Sequence, residues 1–78
     1  MNQNETDTIS ALTDRKFHIE DDSCLYIEGV PGYLGRSYDN SVLWDVVLPV
    51  EGPNEVEVVA SDLSLSDAVV RILAAVVA

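Results

Sequence analysis

The chain has 78 residues, with fourteen acids against four bases, so its formal net charge is −10. This length fits one domain, and the 47% of hydrophobic residues is enough for a core, which excludes an intrinsically disordered chain. A negative field of this size repels phosphates and attracts basic surfaces, so direct binding to nucleic acid or to an anionic membrane is disfavoured.

The N-terminal residues are predicted to contribute little to the fold. Residues 1–8, MNQNETDT, are polar and are expected to be frayed, and a single domain is expected over 9–78. Thr8 to Thr13 fits either a short strand or a helical turn. No basic region precedes an apolar stretch, so no signal peptide is expected.

A first β-hairpin is predicted near the start of the domain. Lys16 to Glu20 alternates, with Phe17 and Ile19 on one face, which is typical of a half-buried strand. The acidic turn DDS follows, and CLYIEGV then supplies the second strand.

The next segment, GVPGYLGRSYDNS from Gly29 to Ser41, is interpreted as a long connection. Its glycines permit unusual backbone angles. Tyr33, Leu34, Arg36 and Tyr38 form a candidate contact patch, because tyrosine and arginine are enriched in binding hot spots. In the alternative, Tyr33 and Leu34 fold back and cover the sheet.

A second hairpin is predicted from VLWDVVLPV and EVEVVA, joined by the turn EGPN. Alternation places Trp44, Val46 and Leu48 on one face of the first strand, and Val56, Val58 and Ala60 on one face of the second. A four-residue connection would oppose Leu48 to Glu57 and exchange the two faces. We therefore predict a connection of three or five residues.

The C-terminal segment SLSDAVVRILAAVVA is predicted to be a helix. Ser64 and Asp67 resemble a capping box. The core stripe consists of Leu65, Ala68, Val69, Ile72, Leu73 and Val76. Because Val70 and Val77 leave the other side apolar, a second neighbour is expected, for which a homodimer through this helix is one candidate. A valine-rich terminal strand is the competing interpretation.

Strands followed by one helix predict an α+β fold: a small antiparallel sheet of about four strands, with the C-terminal helix packed on one face. No internal repeat, low-complexity segment or domain linker is visible in the sequence.

The residues do not predict an enzyme, a metal site or a cofactor. One histidine, His18, and one cysteine, Cys24, cannot supply a zinc site within a monomer. No nucleophile-elbow or phosphate-binding motif occurs, and the spacing of Gly29, Gly32 and Gly35 matches neither glycine-rich fingerprint. A lone cysteine fits a reducing compartment, most simply the cytoplasm.

Recognition of a basic protein is the function that the charge favours. Glu55 and Glu57, with Asp45 expected on the same face of the neighbouring strand, are predicted to begin a negative ribbon. The candidate partner-binding residues are Glu20, Asp21, Asp22, Tyr33, Arg36, Tyr38, Asp39, Asp45, Glu51, Glu55, Glu57 and Asp62. In the alternative, the acids only keep the protein soluble.

At class level the chain resembles the small acidic inhibitors of phages and mobile elements, including anti-CRISPR proteins and other DNA mimics. The resemblance rests on size and on the acid runs IEDDS and VEGPNEVEV. It implies a non-enzymatic inhibitor that occupies a basic nucleic-acid-binding surface of its partner. Two alternatives stay open: an immunity- or antitoxin-like partner of one basic enzyme, and a small dimeric structural subunit.

Overall fold

A five-stranded antiparallel sheet forms the centre of the molecule, with its strands side by side in chain order. The structure is a computed structural model that describes residues 2–52 and 55–76. Its elements are α1 (Gln3–Leu12), β1 (Phe17–Glu20), β2 (Cys24–Ile27), β3 (Tyr33–Arg36), β4 (Trp44–Pro49), β5 (Val56–Leu63) and α2 (Leu65–Ala74). The predicted α+β fold is confirmed, with five strands rather than about four.

Helix α1 includes most of the residues that the sequence predicted to be frayed. Asn2 caps it: the Asn2 side-chain oxygen accepts the Glu5 N–H at 2.9 Å, and the Glu5 carboxylate accepts the Asn2 N–H at 3.3 Å. These reciprocal bonds satisfy amides that the start of a helix leaves unpaired. Residues 2–8, for which the sequence predicted a frayed segment, are the N-cap and first turns of this helix, and Met1 lies outside the described residues. Of the two structures weighed for Thr8 to Thr13, the helical one holds up to Leu12.

The first hairpin forms as predicted. β1 pairs with β2 in a register that sets Phe17 opposite Ile27 and Ile19 opposite Leu25. Asp21 in the turn has a φ of 52°, a left-handed conformation that aspartate tolerates better than bulkier residues do. The Ser23 N–H donates to the Glu20 carbonyl at 3.0 Å and closes the turn.

The glycine-rich segment contains a strand instead of one long connection. β3 lies between β2 and β4, where Leu34 pairs with Leu25 on one side and with Val46 on the other. Gly32 has a φ of 80°, and a Cβ there would collide with the Val47 carbonyl oxygen. Glycine at this position therefore lets β3 approach β4. Leu34 is fully buried in the core, but as a member of the sheet and not as a residue folded back over it.

The second hairpin forms, but its predicted register is wrong. Leu48 pairs with Glu57, and the Val50 N–H donates to the Glu55 carbonyl at 3.2 Å, which leaves a connection numbered 51–54. The ladder then shifts twice, between Val46 and Val47 and between Trp44 and Val46. Val58 pairs with Val47, whereas Ala60 pairs with Val46, so one extra β5 residue separates these pairs. This β-bulge places Val58 and Ala60 on opposite faces, where the sequence predicted one shared face.

Helix α2 covers one face of the sheet. The Ser64 hydroxyl oxygen accepts the Asp67 N–H at 3.2 Å, and Leu65, Ala68, Val69 and Ile72 are buried. The predicted helix is thus confirmed, the terminal strand is wrong, and Val77 lies outside the described residues. α2 packs on β3, β4 and β5, and α1 packs on α2. Val70 nevertheless keeps 56% of its surface exposed, so a second neighbour on that side of the helix stays a prediction.

The register divides the sheet into two faces. Paired residues of antiparallel strands share a face, and successive residues along a regular strand alternate between faces. The helix-covered face carries Leu25, Leu34, Val46 and Ala60. The opposite face, called here the open face, carries His18, Tyr26, Tyr33, Val47 and Val58. The core lies between the helix-covered face and α2, with Ile9 of α1 and Trp44 of β4 fully buried in it.

Candidate partner-binding surface

Arg36, one of the predicted contact residues, binds within the chain. It ends β3 on the helix-covered face, opposite Trp44. Its Nη1 and Nη2 donate to the two Glu5 carboxylate oxygens at 2.9 and 3.1 Å, and Nη2 also donates to Asp22 Oδ1 at 3.2 Å. Nη1 reaches the Ser41 carbonyl at 2.8 Å, and Nε donates to the Asp22 carbonyl. We call this cluster of Glu5, Asp22, Arg36 and Trp44 the Arg36 corner.

Three members of the Arg36 corner, Arg36, Glu5 and Trp44, are largely shielded from solvent, whereas the Asp22 side chain is 64% exposed. The Arg36 side chain is 15% exposed, and its guanidinium carbon lies 4.5 Å from the centre of the Trp44 ring, a cation–π contact. The hydrogen bond from Arg36 holds the pKa of the Glu5 carboxyl below its usual value, and the same bond raises the pKa of the guanidinium. The corner therefore ties α1 to the β1–β2 turn and to β3, with its ion pairs intact at neutral pH.

The aromatic members of the predicted patch lie apart from Arg36. Tyr33 is half-buried on the open face, where its ring centre is 5.4 Å from that of Tyr26. His18 stacks on Tyr26 at 5.2 Å, so three rings cross β1, β2 and β3. Tyr38 follows β3 and is fully exposed. The structure thus distributes the predicted patch over three places: the open face, the Arg36 corner and the segment after β3.

The predicted acidic ribbon does not form as one surface. Glu57 pairs with Leu48 and shares its face of the sheet. Asp45 lies on the other face of β4, so Glu57 and Asp45 are on opposite faces. Asp45 Oδ1 accepts the Asp62 N–H at 3.2 Å, and Asp62 Oδ1 accepts the Ser37 hydroxyl at 3.0 Å. Asp62 has a φ of 57°, so these bonds fix the backbone at the second register shift.

The other predicted acids occupy diagonally opposite corners of the sheet. Because every neighbouring pair is antiparallel, the β1–β2 turn and the β4–β5 connection lie at opposite ends, on opposite edge strands. Glu20, Asp21 and Asp22 stand at the first corner, beside Arg36. Glu51, Glu55 and Glu57 stand at the second. Asp39 is exposed in the segment between β3 and β4.

The second corner combines exposed acids with exposed valines. Glu55, Val56, Glu57 and Val58, called here the β5 edge, are all exposed, and each valine keeps 54% of its surface accessible. Within residues 2–52 and 55–76, neither Glu55 nor Glu57 forms an ion pair. Between Arg36 and Arg71 the sequence contains no lysine, arginine or histidine. It has seven acids there: Asp39, Asp45, Glu51, Glu55, Glu57, Asp62 and Asp67.

The sequence pointed to some of these residues and missed others. Glu55 and Glu57 were predicted as binding residues. The exposure of Val56 and Val58 was missed because the predicted connection of three or five residues placed these valines on the same face as the buried Trp44 and Val46. Glu5 was missed as the partner of Arg36. The spacing of Asn2 and Glu5, which matches a capping box, was the available signal for a helix there.

Among the described residues, no three His, Cys, Asp or Glu side chains are grouped so as to hold a metal ion. In the same part of the chain, neither helix has the length and apolar character needed to cross a membrane. Cys24 is a half-buried free thiol on β2. Comparison of the chain with protein-family models, with curated proteins and with solved structures finds no match.

Proposed function

We propose that this chain is a non-enzymatic acidic binding protein, which inhibits a partner by occupying its basic nucleic-acid-binding surface. The mode of action is that of the small acidic anti-CRISPR and DNA-mimic inhibitors, and its place is the cytoplasm, where Cys24 stays reduced. The partner is a basic protein, and neither nucleic acid nor membrane is bound directly.

One observation carries the proposal: the β5 edge offers carboxylates and apolar side chains together, with no cation in the sequence from 37 to 70 to neutralise them. Exposed acids alone would only keep a protein soluble. Exposed valines beside them add apolar area that water does not favour, which a partner surface would cover. Carboxylates steer a cationic partner to the surface, and the valines slow its release.

The net charge of −10 strengthens the electrostatic steering of a cationic partner. A strongly negative body raises the encounter rate with a positive groove, and this effect falls steeply with salt because charges are screened over about 8 Å at physiological ionic strength. Glu5 and Asp22 take little part, since Arg36 already pairs with them. Glu55 and Glu57, which form no ion pair within the described part of the chain, contribute most to a local contact.

The test is binding to a panel of purified nucleic-acid-binding proteins, RNA-guided nucleases among them, followed by competition with duplex DNA. We expect at least one member to bind, and duplex DNA to displace the chain from it. The affinity should fall by about tenfold or more between 50 and 300 mM salt. Glu55→Lys with Glu57→Lys should weaken binding by about tenfold or more without lowering the melting temperature, because both side chains are exposed.

The matched control is Asp14→Lys with Glu28→Lys, which changes the net charge equally at exposed positions outside β5. We expect this variant to keep most of the affinity. Equal losses in the two variants would show that net charge alone matters and would contradict the proposed surface. Binding that duplex DNA does not displace, or no binding to any panel member, would contradict the proposed function.

A further inference from the structure

We propose that the β5 edge binds an extended segment of the partner by strand addition, and that this segment alternates apolar and basic residues. The inference rests on the proposed function, because it names the chemistry of the segment that the acidic surface recognises.

The edge of β5 that faces away from β4 carries backbone N–H and C=O groups that could pair with an added strand. β5 ends the strand order and pairs with β4. The Val50 N–H donates to the Glu55 carbonyl at 3.2 Å. Hydrogen-bonded and non-hydrogen-bonded pairs alternate along an antiparallel ladder, so Val56 and Val58 direct their N–H and C=O groups away from β4. Pro49, which has no N–H, stands opposite Val56, as a non-hydrogen-bonded pair allows.

The two faces of the β5 edge differ in chemistry. Val56 and Val58 pair with Pro49 and Val47, so their side chains lie on the open face. Glu57 pairs with Leu48 on the other face, and Glu55 shares that face by alternation. A strand added at this edge places its own side chains beside these on the same faces. Apolar side chains then meet the two valines and basic ones meet the two glutamates.

Charge selects a basic segment over a second copy of this chain. An antiparallel pairing of two β5 edges would set Glu55 and Glu57 beside the same residues of the other copy, and like charges across a strand pair destabilise it. No lysine or arginine lies between 37 and 70 to relieve that repulsion. A lysine or arginine at every second position of the guest strand relieves it directly.

The bulge limits the site to a short stretch. The register shift after Val58 interrupts the regular edge, so the exposed ladder covers about the four residues Glu55–Val58. Bulges and edge charges are devices by which natural sheets resist indiscriminate pairing. The same features confine strand addition here to a short guest with the correct alternation.

The test uses the full chain and an eight-residue peptide of alternating lysine and valine, with blocked ends, at millimolar concentration. Amide chemical shifts and hydrogen exchange are followed by NMR. We expect shifts confined to 55–58 and their cross-strand neighbours. In the free chain, the Val56 and Val58 amides should exchange quickly and the Glu57 amide slowly. The peptide should slow exchange at Val56 and Val58 by about tenfold, because these amides become hydrogen-bonded.

Two matched peptides and one variant complete the design. A peptide with the same composition in two blocks, and one with glutamate in place of lysine, should give no such protection. Val58→Pro removes an outward-facing N–H, which an edge strand tolerates, and should abolish protection at Val56 with the melting temperature kept. If Val58→Pro fails to fold, N-methylation of alternate amides of the peptide removes the N–H donors with which the peptide would pair with β5. This methylated peptide should give no protection.

Several results would overturn the inference. The first is equal protection of the Val56 and Val58 amides by the peptide whose lysines and valines are grouped in two blocks. The second is a set of chemical-shift changes centred on Tyr26 and Tyr33 instead of β5. The third is protection that arises from self-association of the chain. If the alternating peptide does not bind, yet Glu55→Lys with Glu57→Lys still weakens a DNA-competed partner, strand addition fails and the proposed function stands. If Glu55→Lys with Glu57→Lys also leaves the affinity for a bound partner unchanged, both strand addition and the proposed function fail.

Discussion

The Arg36 corner and the β5 edge both gather acids, but the two regions use them in opposite ways. At the Arg36 corner, one guanidinium binds Glu5 and Asp22 and lies over Trp44, so the carboxylates hold the fold together. At the β5 edge, Glu55 and Glu57 form no ion pair within residues 2–52 and 55–76 and alternate with exposed valines. In a chain with four bases, the position of each base decides which acids remain available to a partner.

The two regions also differ in how much apolar surface they bury. Apolar side chains of the core, Trp44 of the Arg36 corner among them, lie between the sheet and the helices, where their burial stabilises the fold. The valines of the β5 edge are only half covered and contribute less to folding. Substitutions at the first region should therefore change the free energy of unfolding, and those at the second should change binding.

The largest expected effect concerns α1, the element that the sequence prediction missed. Ile9 is fully buried in the core cluster, so Ile9→Ala should lower the free energy of unfolding by about 2–5 kcal/mol through lost burial and the cavity left behind. Urea denaturation followed by Trp44 fluorescence measures this change. Leu12→Ala on the same helix, at a side chain that is 39% exposed, is the matched control and should cost less. Equal costs would show that α1 does not dock through Ile9.

The next effect tests whether Arg36 belongs to the fold. Arg36→Lys keeps the charge but cannot donate to both Glu5 oxygens and to Asp22 at once, so we expect a loss of about 1–3 kcal/mol in the free energy of unfolding. Arg71→Lys, at an exposed position of α2, should change it by less than about 0.5 kcal/mol. If Arg36→Lys were equally silent and weakened partner binding instead, Arg36 would be the contact residue that the sequence suggested.

A smaller effect follows from the pKa of Glu5. Arg36 lowers this pKa in the folded state, so the pair contributes stability that is complete above the ordinary value of 4.5 and is lost as the pH falls through the folded value. The free energy of unfolding should therefore decrease below about pH 5 in the native chain, and decrease less in Glu5→Gln. Glu57→Gln is the control, because this exposed carboxylate forms no ion pair with any residue that the structure describes, and the variant should follow the native curve. Identical pH dependence in Glu5→Gln and the native chain would contradict the pairing.

Local patterns predicted the parts of the fold that local rules determine. Alternation in β1 and the acidic turn were enough for the first hairpin. The stripe from Leu65 to Ile72, with Ser64 as cap, was enough for α2. Helix α1 was missed because its residues are mostly polar. It is stabilised by a long-range contact, Glu5 to Arg36, that no local pattern contains.

The register of the second hairpin failed for a different reason. Matching Trp44, Val46 and Leu48 to apolar residues of β5 assumed one residue opposite another along the whole ladder. The chain instead inserts extra residues into β5, and Asp62, whose backbone has a positive φ, bonds to Asp45 and Ser37 at the second shift. The pairing of Leu48 with Glu57 next to the connection sets Val58 on the open face, and the bulge after Val58 returns Ala60 to the helix-covered face. The assumed regular register with an odd connection therefore hid both the exposure of Val58 and the role of Asp62.

The smallest expected effect is the most informative about the β5 edge. Val58→Thr should change the free energy of unfolding by less than about 0.5 kcal/mol, because Val58 is already half exposed and threonine suits a strand. The matched control is Val46→Thr at the same hairpin, where a fully buried valine would gain a hydroxyl group without a partner and should cost about 1–3 kcal/mol. Thermal and urea denaturation of the two variants gives both values. If Val58→Thr proved as costly as Val46→Thr, the β5 edge would be packed against the molecule in solution. Its valines could not then meet a partner, and the contrast with the Arg36 corner would be lost.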